Sequence, residues 1–210
     1  MSLIAVIDFE TTGLSPAMGD RATEVAIVLL EGGQIVDRFQ SLMNAGVHIP
    51  AFITSLTGIS NAMIAVAPAA DRVMVDASRF VSHAPLVAHN AAFDRKFWQA
   101  ELARADAPAA HAFACTLLVS RRLYPHAPSH KLGVLVDYHQ LPKAGRAHRA
   151  LADAEIAASL LGQIRHDLRN RHGVMRPDHA LLMLLQRCAK PALRAWMARY
   201  AGAAEACVVS

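Results

Sequence analysis

The chain has 210 residues, of which 54% are hydrophobic and 18% charged. This length suits one domain with an appendage, and the composition excludes a disordered protein. The first residues show no basic segment followed by an apolar one, so no signal peptide is expected. No apolar run approaches the roughly 20 residues of a membrane helix. Three cysteines, an odd number without metal-binding spacing, indicate no disulfide framework. We therefore expect a cytoplasmic protein that does not bind a membrane.

The formal net charge is +4, and it is unevenly distributed. Residues 1–163 contain 13 Lys and Arg against 14 Asp and Glu, whereas residues 164–210 contain 8 against 3. The excess positive charge therefore lies in the C-terminal part. A basic surface of this kind can help to hold a polyanion, but an ordinary solvated helical surface would carry the same charge, and both interpretations stay open.

In chain order, three strands come first, predicted over residues 3–10, 23–30 and 35–43. The segment Glu31-Gly32-Gly33-Gln34 is typical of a hairpin turn, which makes the three strands an antiparallel meander. Glu24 lies among the apolar residues of the second strand. Its carboxylate either supports a nearby site or faces solvent at an edge of the sheet.

The rest of the chain alternates helices with two short strands, which are predicted over 85–90 and 111–116. Asn90 and Ser129 are placed as N-caps of the helices that follow them. Helices are predicted within 50–61 and over 71–83, 91–105, 117–123, 130–139 and 150–168; one more begins at Pro177-Asp178, and a last one contains Trp196. This order predicts an α/β domain with a mixed sheet.

Two carboxylates stand at the end of the first strand. Side chains alternate along a strand, so Asp8 and Glu10 point to one face while Ile7 and Phe9 point to the other. Two acids at the end of a core strand are costly to bury unless positive charge meets them. A divalent cation held by oxygen ligands is the usual partner of such a pair. Thr11-Thr12-Gly13 follows as a turn where a ligand can approach the backbone.

A third carboxylate, Asp94, lies in the first turn of the helix after the fourth strand. The helix dipole favours a carboxylate there, so the residue has either a local or a site role. Phe93 beside it either packs in the core or faces a nucleobase, since every base offers a stacking face.

The last candidates are His148 and Asp153. Five residues of regular helix would leave the two side chains about 140° apart, so both can serve one site only if His148 lies in a loop and Asp153 inside the helix. The preceding segment 143–149 is basic and contains glycine, as a loop does. Asp153 then shares a helix face with Ile156, Ala157, Leu160 and Ile164 that packs on the sheet. A histidine on a loop titrates near neutrality and suits a base acting on water.

Three segments together carry a family resemblance: residues 8–13 (DFETTG), 89–94 (HNAAFD) and 148–153 (HRALAD). In this order they resemble the three motifs of the DEDDh family of 3′→5′ exonucleases, which includes the proofreading epsilon subunit of bacterial DNA polymerase III. The similarity covers about residues 3–168. The sister branch of this family uses Tyr-x3-Asp in the third motif, and it does not fit, because the residue four after Tyr138 is Pro142.

The resemblance implies a ribonuclease-H-like fold, a five-stranded mixed sheet flanked by helices. We expect an exonuclease domain over 1–168 and a helical C-terminal extension over 169–210. The resemblance also implies four carboxylates that bind two divalent cations, Mg²⁺ or Mn²⁺: Asp8, Glu10, Asp94 and Asp153.

His148 is implied as the general base of this set. By the same similarity, Thr11, Leu56 and Phe93 line the pocket for the terminal nucleotide.

The expected activity is metal-dependent 3′→5′ hydrolysis of phosphodiester bonds at single-stranded DNA or RNA 3′ ends, which releases nucleoside monophosphates. DNA proofreading or repair is favoured over trimming of RNA or oligonucleotides. No motif is seen that would recognise a 2′-hydroxyl, so the choice between DNA and RNA stays open. The alternative is an exonuclease-like module whose main role is to dock a polymerase, another partner or a second copy of the chain through residues 169–210.

The extension contains the segment 181–185, Leu-Leu-Met-Leu-Leu. This segment is apolar around the whole helix, so it has to be buried. Packing on its own domain is favoured over a partner or dimer interface.

Overall fold

A mixed sheet of five strands, in the order β3-β2-β1-β4-β5, organises the protein. The computed structural model describes residues 3–142 and 148–201, and the strands are β1 (Ile4–Thr11), β2 (Ala22–Glu31), β3 (Gln34–Leu42), β4 (Leu86–Ala88) and β5 (Phe113–Cys115). β1 pairs antiparallel with β2 and parallel with β4, so the first strand of the chain is the central one. The predicted α/β fold with a five-stranded mixed sheet is confirmed.

The helices follow the predicted order. They are α1 (Ala51–Thr57), α2 (Asn61–Ala65), α3 (Ala70–Val81), α4 (Ala91–Arg104), α5 (Thr116–Leu123), α6 (Leu132–His139), α7 (Ala150–Asn170), α8 (His179–Leu185) and α9 (Leu193–Ala201). Within the described ranges, no helix has both the length and the apolar character that crossing a membrane requires.

Two predicted N-caps differ from the structure, although α4 begins at Ala91 as predicted. Asn90 does precede α4, but it adopts a left-handed conformation with φ of 68° and its side chain makes no capping hydrogen bond. Its carbonyl oxygen instead accepts the backbone N–H of Phe93 at 2.8 Å. α6 begins at Leu132, with Lys131 as the N-cap. Ser129 lies two residues before that position, and its hydroxyl accepts the N–H of Lys131 at 3.3 Å.

The two faces of β1 contribute to separate cores, because its side chains alternate. Ile4 and Val6 lie in a core with α7, whereas Ala5, Ile7 and Phe9 lie in a core with α3 and α4. The predicted inner face of α7 is buried, since its members Ile156, Ala157, Leu160 and Ile164 are 9% exposed or less. Each large apolar side chain buried in this way stabilises the fold by about 1.5–3 kcal/mol, so α7 is held firmly against the sheet.

α8 packs on the same core as α7. Leu181, Leu182 and Leu185 belong to that core, as the segment's apolar character predicts. Leu184 departs from that expectation and is 48% exposed, because one side of a helix docked on an edge strand still faces outward.

The extension also covers the edge strand β5. The side-chain oxygen of Gln186 accepts the N–H of Cys115 at 2.7 Å, and its amide nitrogen donates to the carbonyl of Phe113 at 3.3 Å. These bonds occupy backbone groups that an open sheet edge would leave unpaired. The boundary placed at residue 168 stays a prediction, although residues beyond it clearly contribute to the core.

Candidate active site

Asp8 and Glu10 occupy the C-terminal half of the central strand and face the side on which α7 packs. In the β1–β2 ladder Asp8 is opposite Ala26 and Glu10 is opposite Glu24. Ligand oxygens of Asp8, Glu10 and Asp153 all lie within 4.8 Å of one another. Asp153 comes from the first turn of α7, so two elements far apart in the chain converge on one point.

Asp94 approaches the same point from the other helix layer. It lies in the first turn of α4 and is 2% exposed. Its negative charge is the second cause, after burial, of the raised pKa of Asp8. The four predicted carboxylates therefore belong to one electrostatic cluster, of which three have oxygens within reach of a single ion.

The pKa values of this cluster are raised because buried negative charges crowd one another. Burial, followed by the charges of Asp153 and Glu24, raises the pKa of Glu10 to about 8. Burial also raises the pKa of Asp94 to about 8, although hydrogen bonds from backbone N–H groups act in the opposite direction. Such a set lacks positive charge at its centre and offers only hard oxygen donors. It therefore fits divalent cations such as those that the exonuclease family generally uses.

His148 lies outside α7, which begins at Ala150, as the spacing argument requires. It is exposed, with a φ of 59°. Its backbone N–H donates to the Asp153 carboxylate at 3.0 Å, which joins the histidine's backbone to the cluster and leaves its ring free to face solvent. Residues 143–147, most of the predicted basic loop, lie outside the described residues.

Glu24 is fully buried, which shows that the interpretation as a solvent-facing carboxylate is wrong. β3 covers the outer side of β2, so Glu24 does not lie on an edge strand. Its carboxylate accepts four hydrogen bonds. Two come from Arg149, from Nη2 at 2.8 Å and Nε at 3.1 Å, and the others come from the N–H of Ala150 at 3.2 Å and from Gln40 Nε2 at 2.7 Å.

Three of these bonds hold Arg149 and Ala150, the two residues that follow His148, against β2 at the start of α7. Sequence patterns indicated no partner for Glu24 and no role for Arg149. The one available signal was a carboxylate inside an apolar strand, which has to be paired when it is buried.

The predicted nucleotide-contact residues lie in three separate elements. Thr11 ends β1 and is 7% exposed, with its hydroxyl donating to the carbonyl of Gly13 at 2.7 Å. Leu56 is 47% exposed on α1. Phe93 is half-buried, with its ring centre 5.0 Å from that of Phe97. Their role in binding a nucleotide stays a prediction.

The turn after β1 depends on Gly13. A Cβ atom at this position would lie 2.4 Å from the Asp20 carboxylate, which accepts the N–H of Ser15 at 2.8 Å. Only a residue without a side chain lets this carboxylate close the loop beside the acidic pair.

Carboxylates converging on the central strand of a ribonuclease-H-like sheet, with a histidine at their rim, define a nuclease. Residues 5–161 match the exonuclease family of the RNase T type. This segment contains all five predicted catalytic residues. The chain belongs to this family, and it is a nuclease of the DEDDh-like class that the motifs indicate.

Curated relatives share this segment only as part of longer proteins. The chain is 38% identical over 166 residues to the 3′-5′ exonuclease DinG of Bacillus subtilis, which covers 78% of this chain and 18% of that protein. It is 36% identical over 155 residues to the PolC-type DNA polymerase III of Caldanaerobacter subterraneus, which covers 74% of this chain and 11% of that protein. The chain thus spans less than a fifth of the length of either relative.

Solved structures share the fold. Exonuclease X in complex with 5′ overhanging duplex DNA has 29% identity and a TM-score of 0.62, over 78% of this chain and 91% of that one. The nuclease domain of 3′hExo, a DEDDh family member bound to rAMP, has 21% identity and a TM-score of 0.68, over 79% and 92%. At that identity the second likeness demonstrates the fold alone.

Proposed function

We propose that the protein is a metal-dependent 3′→5′ exonuclease that removes nucleoside monophosphates from single-stranded 3′ ends, with DNA in proofreading or repair as the favoured substrate. The observation that carries this proposal is the convergence of Asp8, Glu10 and Asp153 within 4.8 Å, with Asp94 buried beside them. The family membership and the 3′-5′ exonuclease among the relatives support the same direction of cleavage.

The four carboxylates would hold two divalent cations, Mg²⁺ or Mn²⁺. When bound, these ions supply positive charge where the attacking and leaving oxygens of a phosphodiester develop negative charge. The carboxylates would keep the ions in place beside the reacting phosphate. Since the carboxylate pKa values are raised, binding of the ions displaces protons from the cluster.

His148 accepts the proton of the attacking water in this mechanism. Its exposed position at the start of α7 lets the ring turn toward an incoming phosphate, while its backbone stays joined to Asp153. An imidazole nitrogen can accept a proton and release it again, which suits a general base that must return its proton to water after each cleavage.

Thr11, Leu56 and Phe93 bind the terminal nucleotide. Leu56 offers an exposed apolar side chain, and the half-buried ring of Phe93 offers an aromatic face on the same first turn of α4 that carries Asp94. Lys96 Nζ lies 5.8 Å from the centre of the Phe93 ring and adds positive charge for a phosphate nearby.

RNA is the alternative substrate, because the sequence contains no motif that would recognise a 2′-hydroxyl and so leaves the choice of sugar open. A polymerase partner is suggested by the PolC-type relatives. The alternative of a module that mainly docks a partner or a second copy loses its principal support, because the apolar residues of α8 are largely used within the domain's own core.

The test is a substrate panel of labelled single-stranded DNA, duplex DNA, mismatched primer and RNA, each with Mg²⁺ or Mn²⁺. We expect stepwise shortening from the 3′ end of single strands or mismatched primer, and loss of at least about 10³-fold in kcat for Asp8→Asn. Asp106→Asn is the matched control, because Asp106 is exposed and its left-handed backbone also suits Asn. Cleavage that survives Asp8→Asn would overturn the assignment of the site.

A further inference from the structure

Three arginines line an open pocket of about 600 Å³ that is separate from the carboxylate cluster. Arg165 and Arg169 come from the end of α7 and Arg176 from the segment that leads to α8, while the hairpin turn residue Gly32 closes one side. We call this the arginine pocket. It is the structural counterpart of the positive charge that the sequence concentrates after residue 163.

The positive charge of this pocket is only partly balanced by its surroundings. Its one lining carboxylate is Asp178, whose charge acts against the lowering of the Arg165 pKa but which also accepts the N–H of Leu181 at 2.9 Å as the cap of α8. In the part of the chain that the structure describes, no carboxylate forms an ion pair with any of the three guanidinium groups. Burial, followed by the neighbouring charge of Arg169, lowers the pKa of Arg165, so a bound anion would relieve the repulsion.

The pocket is also partly ordered in advance. Arg165 Nε donates to the carbonyl of Pro177 at 2.9 Å, which fixes the direction of its guanidinium and leaves the terminal nitrogens for a ligand. Arg169 and Arg176 are exposed. The planar fork of a guanidinium matches two oxygens of a phosphate. Met175, 61% exposed at the same pocket, adds an apolar contact suited to a base or sugar.

The arginine pocket lies at the opposite end of the sheet from the active site. Arg165 follows Asp153 by twelve residues of α7, which is about 18 Å along the helix axis. The strand register agrees, since Ile4 pairs with Leu30 near the hairpin whereas Glu10 pairs with Glu24 at the other end. At about 3.4 Å per stacked nucleotide, the two places are five to six nucleotides apart.

We propose that the arginine pocket binds backbone phosphates of the same nucleic-acid strand whose 3′ end is cleaved, about five nucleotides upstream of the scissile bond. This inference rests on the proposed function for the direction of the strand. A nucleic acid is favoured over an acidic polypeptide because three guanidinium forks beside an apolar rim match phosphates alternating with sugars and bases, and because the chain belongs to a nuclease family.

The test compares wild type with the double variant Arg169→Gln/Arg176→Gln, using 5′-labelled single-stranded oligonucleotides of 4 and 20 nucleotides. Arg194→Gln/Arg199→Gln is the matched control, since both residues are exposed on α9 and outside the pocket. We expect the KM for the 20-mer to rise about tenfold in the pocket variant, with its kcat and both constants for the 4-mer unchanged. The control double variant keeps wild-type values.

Binding of the 20-mer in EDTA, followed by fluorescence anisotropy against salt concentration, tests the pocket without cleavage. Loss of two phosphate contacts should reduce the slope of log Kd against log salt by about 1.4. Between 50 and 200 mM salt, the affinity of the variant should therefore fall by a factor about sevenfold smaller than that of wild type. An unchanged slope, an equal KM rise for the 4-mer, or the same effect in the control variant would overturn the proposal.

A 20-residue polyglutamate that binds as tightly as the 20-mer, and with the same dependence on the two arginines, would overturn it in favour of an acidic protein partner. If wild type cleaves neither oligonucleotide, the proposed function fails, and the EDTA measurement still decides whether the pocket binds the strand.

Discussion

Replacing Glu24 should damage catalysis more than it damages the fold. The carboxylate accepts four hydrogen bonds of 2.7–3.2 Å, three of them from Arg149 and Ala150. Glu24→Gln keeps the shape of the side chain but removes the charge and replaces one acceptor oxygen with a donor. The start of α7 then loses its anchor on β2.

The size of the effect follows from burial and exposure. Charge-assisted hydrogen bonds contribute about 1.5–3 kcal/mol each. The Arg149 side chain is 34% exposed, so water compensates part of the loss, and we expect a total of about 2–3 kcal/mol. For a chain of this length, that lowers Tm by about 4–12 °C. Because His148 and Asp153 flank the anchored residues, a shift of about 1 Å in α7 should lower kcat about 10²-fold.

The assay measures thermal unfolding by calorimetry, and kcat on single-stranded DNA at a temperature where every variant is folded. Arg38→Gln is the control, because it removes an exposed ion pair that joins β3 to Glu155 on the same helix. That change should cost less than about 1 kcal/mol and leave kcat unaltered. Destabilisation of Glu24→Gln with wild-type kcat would refute the positioning argument, and an unchanged Tm would refute the buried network.

Three further expectations concern the carboxylate cluster, the histidine and the extension. Without metal, burial raises the pKa values of Glu10 and Asp94 to about 8. The cluster's contribution to stability is therefore full below the unfolded pKa values of about 4 and is lost as pH rises to about 8. In EDTA, calorimetry should give Asp94→Asn a Tm advantage over wild type at pH 8.5 that vanishes only below about pH 4 and shrinks with Mg²⁺, and an advantage independent of pH would contradict this. His148→Ala should lower kcat by about 10²–10⁴-fold with unchanged Mn²⁺ affinity by calorimetric titration, whereas an equal loss of affinity would make the residue a ligand. Leu182→Ala should cost about 2–5 kcal/mol in urea unfolding if α8 is integral to the core, and a cost near zero would indicate a separable extension.

Local patterns were sufficient for most of the fold. Three apolar runs and a Gly-Gly turn predicted the first three strands. The structure has β1, β2 and β3 within one or two residues of the predicted bounds. Alternation along β1 predicted that Asp8 and Glu10 share a face, because strand geometry leaves no other choice. If His148 and Asp153 serve one site, helix geometry places His148 outside α7, and the helix begins two residues later.

The N-caps were harder to predict because they depend on one backbone angle. Asn90 is a good capping residue in general, but its left-handed φ turns the side chain away from the N–H groups of α4. Asn adopts this left-handed conformation more readily than most residues, so the residue type that favours a cap also permits a backbone angle at which the cap is not made.

Periodicity and the short motifs were enough to identify the elements and the residue types of the site, because both act over short distances along the chain. The tertiary structure was needed to show what neutralises Glu24, since its partner Arg149 lies 125 residues away. It also decided that Gln186 closes the edge strand and that three arginines meet in one pocket. Pairing of buried charge and of open backbone groups depends on which elements pack together, and the convergence of Asp8, Glu10 and Asp153 within 4.8 Å is the clearest result of that packing.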